Sequence, residues 1–156
     1  MNSEDYKLLH DLENDFWWFV GMRAITASLL DQIFSPRHNG LILDAGCGTG
    51  GNLQWLARYR SSIVGLDLSD DALRFCRESN RNDLIQASVA DLPFADETFD
   101  LVTSFDVLVQ LKEDDAEKAV REMHRVLRGG GVALVRVAAY EWMRSGHDVA
   151  LGTQKR

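Results

Sequence analysis

Glycines and acids in the middle of the chain have the spacing of a site for a nucleotide-like ligand. Four of the six residues in 46–51 are glycine, and they directly follow a short apolar run. Such glycines let the backbone approach a ligand closely, and the helix that follows offers unpaired N–H groups. Asp67 lies about twenty residues beyond the turn, where a carboxylate accepts hydrogen bonds from ribose hydroxyls. This combination predicts that the ligand contains a ribose.

The acid before the turn distinguishes two classes of ligand. Gly46, Gly48 and Gly51 satisfy G-x-G-x-x-G, the pattern of enzymes that bind a dinucleotide. The carboxylate of Asp44 would repel a pyrophosphate, whereas it can serve a cationic ligand directly or through water. S-adenosylmethionine has no phosphate and carries an ammonium and a sulfonium group. The residue types therefore favour S-adenosylmethionine and leave a nicotinamide dinucleotide as the alternative.

Two segments carry a resemblance to a known family. Residues 43–50, Leu-Asp-Ala-Gly-Cys-Gly-Thr-Gly, resemble the first motif of class I S-adenosylmethionine-dependent methyltransferases (type 11, UbiE-like), and residues 90–102 resemble a later one. The resemblance implies a Rossmann-like fold, transfer of a methyl group to an acceptor, and S-adenosylmethionine as the cofactor. The cofactor-binding residues predicted in this core are Asp44, Gly46, Cys47, Gly48, Gly50, Asp67, Leu68, Asp91, Leu92 and Phe105.

Asp91 follows a predicted third strand, residues 84–89. Ligands bind at the carboxyl ends of the strands in open α/β sheets, so this carboxylate can accept a bond from the exocyclic amine of adenine. Leu68, directly after Asp67, is expected to lie against the adenine ring. The alternative is that Asp91 only caps a turn before Pro93.

Two weak candidates for catalysis lie further along the chain. Asp106 follows the predicted fourth strand, Phe99–Phe105, and either contacts the acceptor or is a solvated loop acid. His147 and Asp148 form a pair after the fifth strand, and histidine titrates near neutrality. That pair suits a substrate pocket, but a surface loop explains it as well. His124 is expected to be structural.

An aromatic run precedes the core. Residues 16–19, Phe-Trp-Trp-Phe, with Gly21 and Arg23 after them, resemble an N-terminal segment found in a subset of these methyltransferases. The resemblance implies that Trp17 covers the ligand and that Arg23 reaches the cofactor carboxylate or an anionic acceptor. The alternatives are that the aromatic rings cover the hydrophobic core and that Arg23 is a solvated helix residue.

Five strand–helix units predict an α/β fold, a Rossmann-like three-layer sandwich with a mostly parallel sheet in the order 3-2-1-4-5. We expect one domain, made of an N-terminal helical cap (1–36), the core (41–137) and a tail (138–156). Nothing after residue 137 has the pattern of the family's last strand pair, so we expect that pair to be missing. Strand 132–137 would then be an exposed apolar edge, which favours a homodimer paired there. The alternatives are that the tail folds back over the edge or that the chain is a fragment of a longer protein.

The composition limits the partners. The net charge is −7 and no basic run is present, which argues against a nucleic acid held by phosphate contacts. The two cysteines lack metal-ligand spacing and predict a reducing, cytoplasmic location. Nothing resembles a signal peptide or a membrane span. We expect a small-molecule acceptor, with a binding module that acts through a partner as the alternative.

Overall fold

The chain forms a sheet of five strands, all paired in parallel, in the order β3-β2-β1-β4-β5. The structure is a computed structural model that describes residues 3–35, 40–59, 62–79 and 83–139. The strands are β1 (Leu41–Ala45), β2 (Ser62–Asp67), β3 (Leu84–Gln86), β4 (Phe99–Phe105) and β5 (Leu127–Arg136). This order confirms the predicted Rossmann-like fold.

Helices lie on both faces of the sheet. They are α1 (Ser3–Leu12), α2 (Trp17–Ile33), α3 (Gly51–Leu56), α4 (Asp70–Glu78) and α5 (Glu113–Val126). Local sequence explains where α4 begins, because the Ser69 hydroxyl accepts a bond from the Ala72 N–H at 3.3 Å and two acids follow in the first turn. Acids also occupy the first turn of α5. None of the helices in the described residues is long and apolar enough to cross a membrane.

The two faces of the sheet bury separate apolar clusters. Leu43 and Val102 contribute to the cluster that α5 covers, together with Met123 and Val126 of that helix. Residues on the opposite face pack beneath α2, with Leu30 at the centre. Because both faces are covered, every residue of β4 is buried.

The predicted bounds of two strands were wrong. The third strand ends at Gln86 rather than at residue 89, because the Ser88 hydroxyl accepts a bond from the Ala90 N–H and turns the chain away. The fifth strand begins at Leu127 rather than at residue 132. Its pairing with Phe99 starts directly after α5, so the three glycines at 129–131 lie within the strand.

Three large apolar residues of α2 do not contribute to the core. Ile25, Leu29 and Ile33 are more than half exposed, whereas Thr26 and Leu30 are buried. The helix begins at Trp17 and so includes most of the aromatic run. The buried residues of α2 are Thr26, Ala27 and Leu30.

Candidate functional site

The glycine turn joins β1 to α3 at the carboxyl edge of the sheet. Gly46 has φ of +89° and Gly48 has φ of +55°, a region that L-residues rarely adopt. A Cβ atom on Gly46 would overlap Val107, so close packing also requires glycine there. At Gly48 the nearest atom to such a Cβ would be the Leu9 Cδ2, at 4.0 Å. Space is therefore open on the exposed side of Gly48.

Asp67 holds the turn from the end of β2. One of its carboxylate oxygens accepts the Gly48 N–H at 2.9 Å, and the other accepts the Ser69 N–H at 2.9 Å. A carboxylate has about four lone-pair sites, so each oxygen can accept one further donor. The side chain thus shapes the turn and remains able to accept two hydroxyl groups.

Asp44 is fully buried near the end of β1. Its Oδ1 accepts a bond from the Thr103 hydroxyl at 2.7 Å, and its Oδ2 has no partner among the residues that the structure describes. Burial raises the pKa of this carboxyl to about 7, against the opposing effects of the Thr103 bond and the charge of Arg136. Buried polar atoms are nearly always satisfied, so the free oxygen fits a donor group of a ligand.

Two side chains of α5 hold the loop that carries Asp91 in place through hydrogen bonds. The carboxylate of Glu122 accepts the Leu92 N–H at 2.9 Å, and Arg125 donates to the Leu92 carbonyl at 3.0 Å. Leu92 is buried and Asp91 is exposed. Sequence reasoning missed Glu122 and Arg125, because an acid and a base three residues apart on a helix ordinarily mark a solvated face.

A second acid reaches the turn from the N-terminal helices. Glu13 is 7% exposed, and its carboxylate accepts the Thr49 hydroxyl at 2.8 Å. Burial raises the pKa of Glu13, while bonds from Thr49 and the Gly51 N–H oppose that rise. No signal in the sequence separates this acid from the other exposed acids around it. The contact fixes the N-terminal helices above the glycine turn.

Arg23 borders an open cleft beside the turn. The cleft has a volume of about 420 Å³ and is lined by Asn14, Arg23, Gly51, Gln54 and Trp55. The guanidinium donates to the Asn14 carbonyl at 3.3 Å, and partial burial lowers its pKa. The three predicted cofactor acids do not line this cleft, so Arg23 approaches the glycine turn from a different side.

Trp17 lies on the first turn of α2 and is 69% exposed. Its ring packs against Phe16 and Trp18, both at 5.8 Å between ring centroids. The expectation that the aromatic run covers the core does not hold for these rings. The proposed contact of Trp17 with the ligand stays a prediction.

The ends of β4 and β5 bring Phe105, Asp106 and Arg136 together. Asp106 has φ of +60°, and its Oδ2 accepts bonds from the Arg136 Nε at 3.0 Å and Nη2 at 2.6 Å. The guanidinium lies over the Phe105 ring, 5.0 Å from its centroid. Sequence reasoning missed this pair, because nothing in the spacing of Asp106 and Arg136 indicates it.

The structure also bears on the predicted site residues Cys47, Leu68 and His147. The Cys47 side chain turns into a small core cluster with Leu53 and Cys76, so this residue can offer only its backbone to a ligand. Leu68 is 69% exposed directly after Asp67, as a surface for a flat ring requires. His147 lies outside the described residues, as does the rest of the predicted tail beyond residue 139.

Comparison with known proteins decides the family. The sequence model of a family described as a methyltransferase domain matches residues 43–135, which include the glycine turn and the three acids. The chain belongs to this family. That membership confirms the predicted resemblance to class I methyltransferases, and it selects S-adenosylmethionine over a dinucleotide as the cofactor.

Individual methyltransferases agree with this result. A probable S-adenosylmethionine-dependent methyltransferase of Mycobacterium tuberculosis is 30% identical over 131 residues, covering 83% of this chain and 45% of its own. The ubiquinone/menaquinone biosynthesis C-methyltransferase UbiE of Klebsiella pneumoniae is 33% identical over 137 residues, covering 81% and 53%. The crystal structure of the PH0226 protein of Pyrococcus horikoshii superposes with a TM-score of 0.72 at 26% identity, covering 85% and 60%. The chain spans about half the length of the curated relatives it matches.

Proposed function

We propose that this chain binds S-adenosylmethionine and transfers its methyl group to a small-molecule acceptor. The observation that carries the proposal is a buried Asp44 oxygen that has no partner among the described residues, next to a glycine turn of positive φ. A cationic, phosphate-free ligand matches that oxygen, and a pyrophosphate does not. The alternative, a cofactor-binding module that acts through a partner, shares the same site.

Each part of the cofactor has a candidate partner in the chain. The exposed carboxylate of Asp91 would accept from the adenine amine, with Leu68 and Leu92 beside the ring. Asp67 would accept the ribose hydroxyls through its remaining lone pairs. Asp44 would pair with the ammonium, and Arg23 with the carboxylate of the methionine part. When bound, the cofactor supplies a methyl group on a positively charged sulfur. A lone pair of the acceptor attacks the methyl carbon, and the sulfur keeps the electrons of the bond that breaks.

The chain's own contribution is to position the cofactor and exclude water. The Glu13 contact with Thr49 fixes the N-terminal helices over the turn, and α5 fixes the loop that carries Asp91. Holding two reactants in line replaces a bimolecular encounter by a bound geometry, which accounts for much of the rate that such enzymes achieve. A base is needed only for an acceptor atom that must lose a proton, and Asp106 and His147 are the candidates.

Two measurements test the proposal. Thermal unfolding of the full chain should shift upward with S-adenosylmethionine and with S-adenosylhomocysteine but not with NAD. Transfer of a labelled methyl group from S-adenosylmethionine to a small-molecule extract should then give labelled product. A shift without any transfer would favour the binding module, and a shift with NAD alone would contradict both versions.

The titration of Asp44 predicts how cofactor affinity depends on pH. Its pKa of about 7 means that the carboxyl is largely neutral at pH 5.5, and only the ionised form pairs with an ammonium. Binding must therefore release a proton at low pH, and affinity should rise about tenfold between pH 5.5 and 7.5. Calorimetry in two buffers of different ionisation heat measures both the affinity and the released proton.

The Asp44→Asn variant is the control for that titration. It should bind the cofactor more weakly and with a flat pH dependence over the same range. The folding stability of the unliganded chain should depend on pH in the opposite direction to cofactor affinity. Because folding raises the pKa of Asp44, its contribution to the free energy of unfolding falls as pH rises from about 4 to 7. An unchanged pH profile in Asp44→Asn would show that another group is responsible.

Asp91→Asn should weaken cofactor binding by less than about tenfold, because the amide still presents a carbonyl to the adenine amine but loses the charge assistance. The loop should stay in place, since Glu122 and Arg125 hold it through the Leu92 backbone. A binding titration measures the loss. Complete loss of binding would mean that Asp91 shapes the loop rather than contacting adenine.

We also propose that two copies pair along β5. This strand is at the edge of the described sheet; Val135 on it is 40% exposed, and Val137 directly after it is 47% exposed. An apolar edge invites pairing with another chain. Sedimentation should show a dimer that Val135→Lys dissociates, while a monomer at high concentration with a slowly exchanging Val135 amide would contradict it.

A cytoplasmic location is the last part of the proposal. Cys47 and Cys76 are free thiols, both buried, and free cysteines are typical of reducing compartments. Fractionation of cells that express the tagged chain would test this location.

A further inference from the structure

Arg136 lies at the carboxyl edge of the sheet, close to the cofactor turn. Asp44 pairs in register with Thr103, so the turn after β1 lies beside Phe105 at the end of β4. Phe105 in turn pairs with Arg136. Neighbouring strands are about 4.8 Å apart, which places the Arg136 backbone on the order of 10 Å from the turn. The side chain of Arg136 lies beside the residues at the end of β4, since it contacts Phe105 and Asp106.

The order of the acids shows which end of the cofactor points towards Arg136. This step rests on the proposed function. Asp91 follows β3, Asp67 ends β2 and Asp44 lies near the end of β1, so adenine, ribose and ammonium follow the strand order β3-β2-β1. The acceptor must then approach over the next strands, β4 and β5. Arg136 is the cation at the end of those strands.

The guanidinium of Arg136 already holds a carboxylate, one that belongs to the chain. Its Nε and Nη2 both donate to the same Asp106 oxygen, at 3.0 and 2.6 Å. A guanidinium binds a carboxylate best as a fork, with two parallel bonds to two oxygens, and this pair does not use that arrangement. The Asp106 side chain is 49% exposed, so it can leave without a large desolvation cost. Asp106 also has a positive φ, a conformation of the kind found where a side chain serves a site.

The surroundings of Arg136 favour an anionic ligand. Its side chain is 22% exposed and lies on the Phe105 ring, which fixes the plane of the guanidinium. The chain as a whole carries a net charge of −7, so an anionic ligand needs a local cation such as Arg136. We propose that Arg136 binds a carboxylate group of the methyl acceptor, and that Asp106 occupies the guanidinium until the acceptor replaces it.

Matched acid and amide probes test this inference. The full chain, saturated with S-adenosylhomocysteine, is titrated with octanoate and octanamide, and separately with benzoate and benzamide. Each acid should bind about tenfold to a hundredfold more tightly than its amide, because a charge-assisted pair with Arg136 is available only to the acid. Equal binding of acid and amide in both pairs, or no binding of either acid, would overturn the inference.

Variants distinguish binding of the acceptor carboxylate by Arg136 from a purely structural link between β4 and β5. Arg136→Gln should abolish the preference for acids, and Arg136→Lys should keep part of it. Asp106→Asn should strengthen acid binding, because the internal competitor loses its charge. If the pair only fastens β4 to β5, Asp106→Asn would instead weaken or not change acid binding. Arg121→Gln, on an exposed face of α5, is the control and should behave as the unmodified chain.

The two proposals fail in different ways. If S-adenosylhomocysteine does not bind the unmodified chain, the proposed function fails first. If it binds, and binds Arg136→Gln equally well, but acids and amides are not distinguished, only the role of Arg136 fails. Where an acid is methylated, alkaline hydrolysis of the product shows whether the carboxylate itself or another atom of the same molecule received the methyl group.

Discussion

Replacement of Gly48 by valine should abolish cofactor binding while the chain still folds. The residue has φ of +55°, and the nearest atom to an added Cβ is 4.0 Å away, so the side chain would occupy open space on the ligand side of the turn. Steric overlap with the ligand would cost about 1–3 kcal/mol and backbone strain a similar amount. Affinity for S-adenosylmethionine should fall on the order of a hundredfold or more. A binding titration and circular dichroism measure the two effects.

Gly129→Val is the matched control. The same side chain is added at a glycine that does not have a positive φ and has nothing within 4 Å of its Cβ position. Gly129 lies near the start of β5, at the opposite end of the strand from Arg136. This variant should bind the cofactor normally. A folded Gly48→Val variant with normal affinity would remove the glycine turn from the site.

Replacement of Asp67 by alanine should lower cofactor affinity by about tenfold to a hundredfold, because hydrogen bonds to a charged group contribute about 1.5–3 kcal/mol. Two effects act in the same direction. The ribose hydroxyls lose their acceptor, and the N–H groups of Gly48 and Ser69 lose the carboxylate that orients the turn. Calorimetry with S-adenosylhomocysteine measures the loss without any contribution from the reaction.

Asp70→Ala is the control for Asp67. Asp70 lies three residues further on, and its side chain is 67% exposed and paired with Arg77. Its removal should leave affinity unchanged, since a surface ion pair contributes little. Unchanged affinity in Asp67→Ala, with the control also unchanged, would contradict the assignment of the ribose-binding acid.

The sequence alone predicted the main features of the proposed cofactor site. Asp44, Gly48 and Asp67 are close along the chain to strand ends, and parallel strands bring their carboxyl ends to one edge of the sheet. Local patterns also predicted β4 with the bounds that the structure has. The strand order followed from right-handed crossovers. These features depend on short-range patterns and on chirality, which are readable without tertiary contacts.

Only the tertiary structure decided which distant residues complete the site. Glu13 contacts Thr49 across 36 positions of the sequence, and Arg136 pairs with Asp106 across 30. The buried face of α2 carries Thr26, Ala27 and Leu30, although the helix has larger apolar residues on its exposed side, so packing between segments and not the apolar pattern alone selected it. A charged residue has the same pattern in a sequence whether it is solvated or paired. Burial and the choice of partner are set by packing between segments, so no local spacing could have distinguished Glu13 or Arg136 from the acids and bases around them.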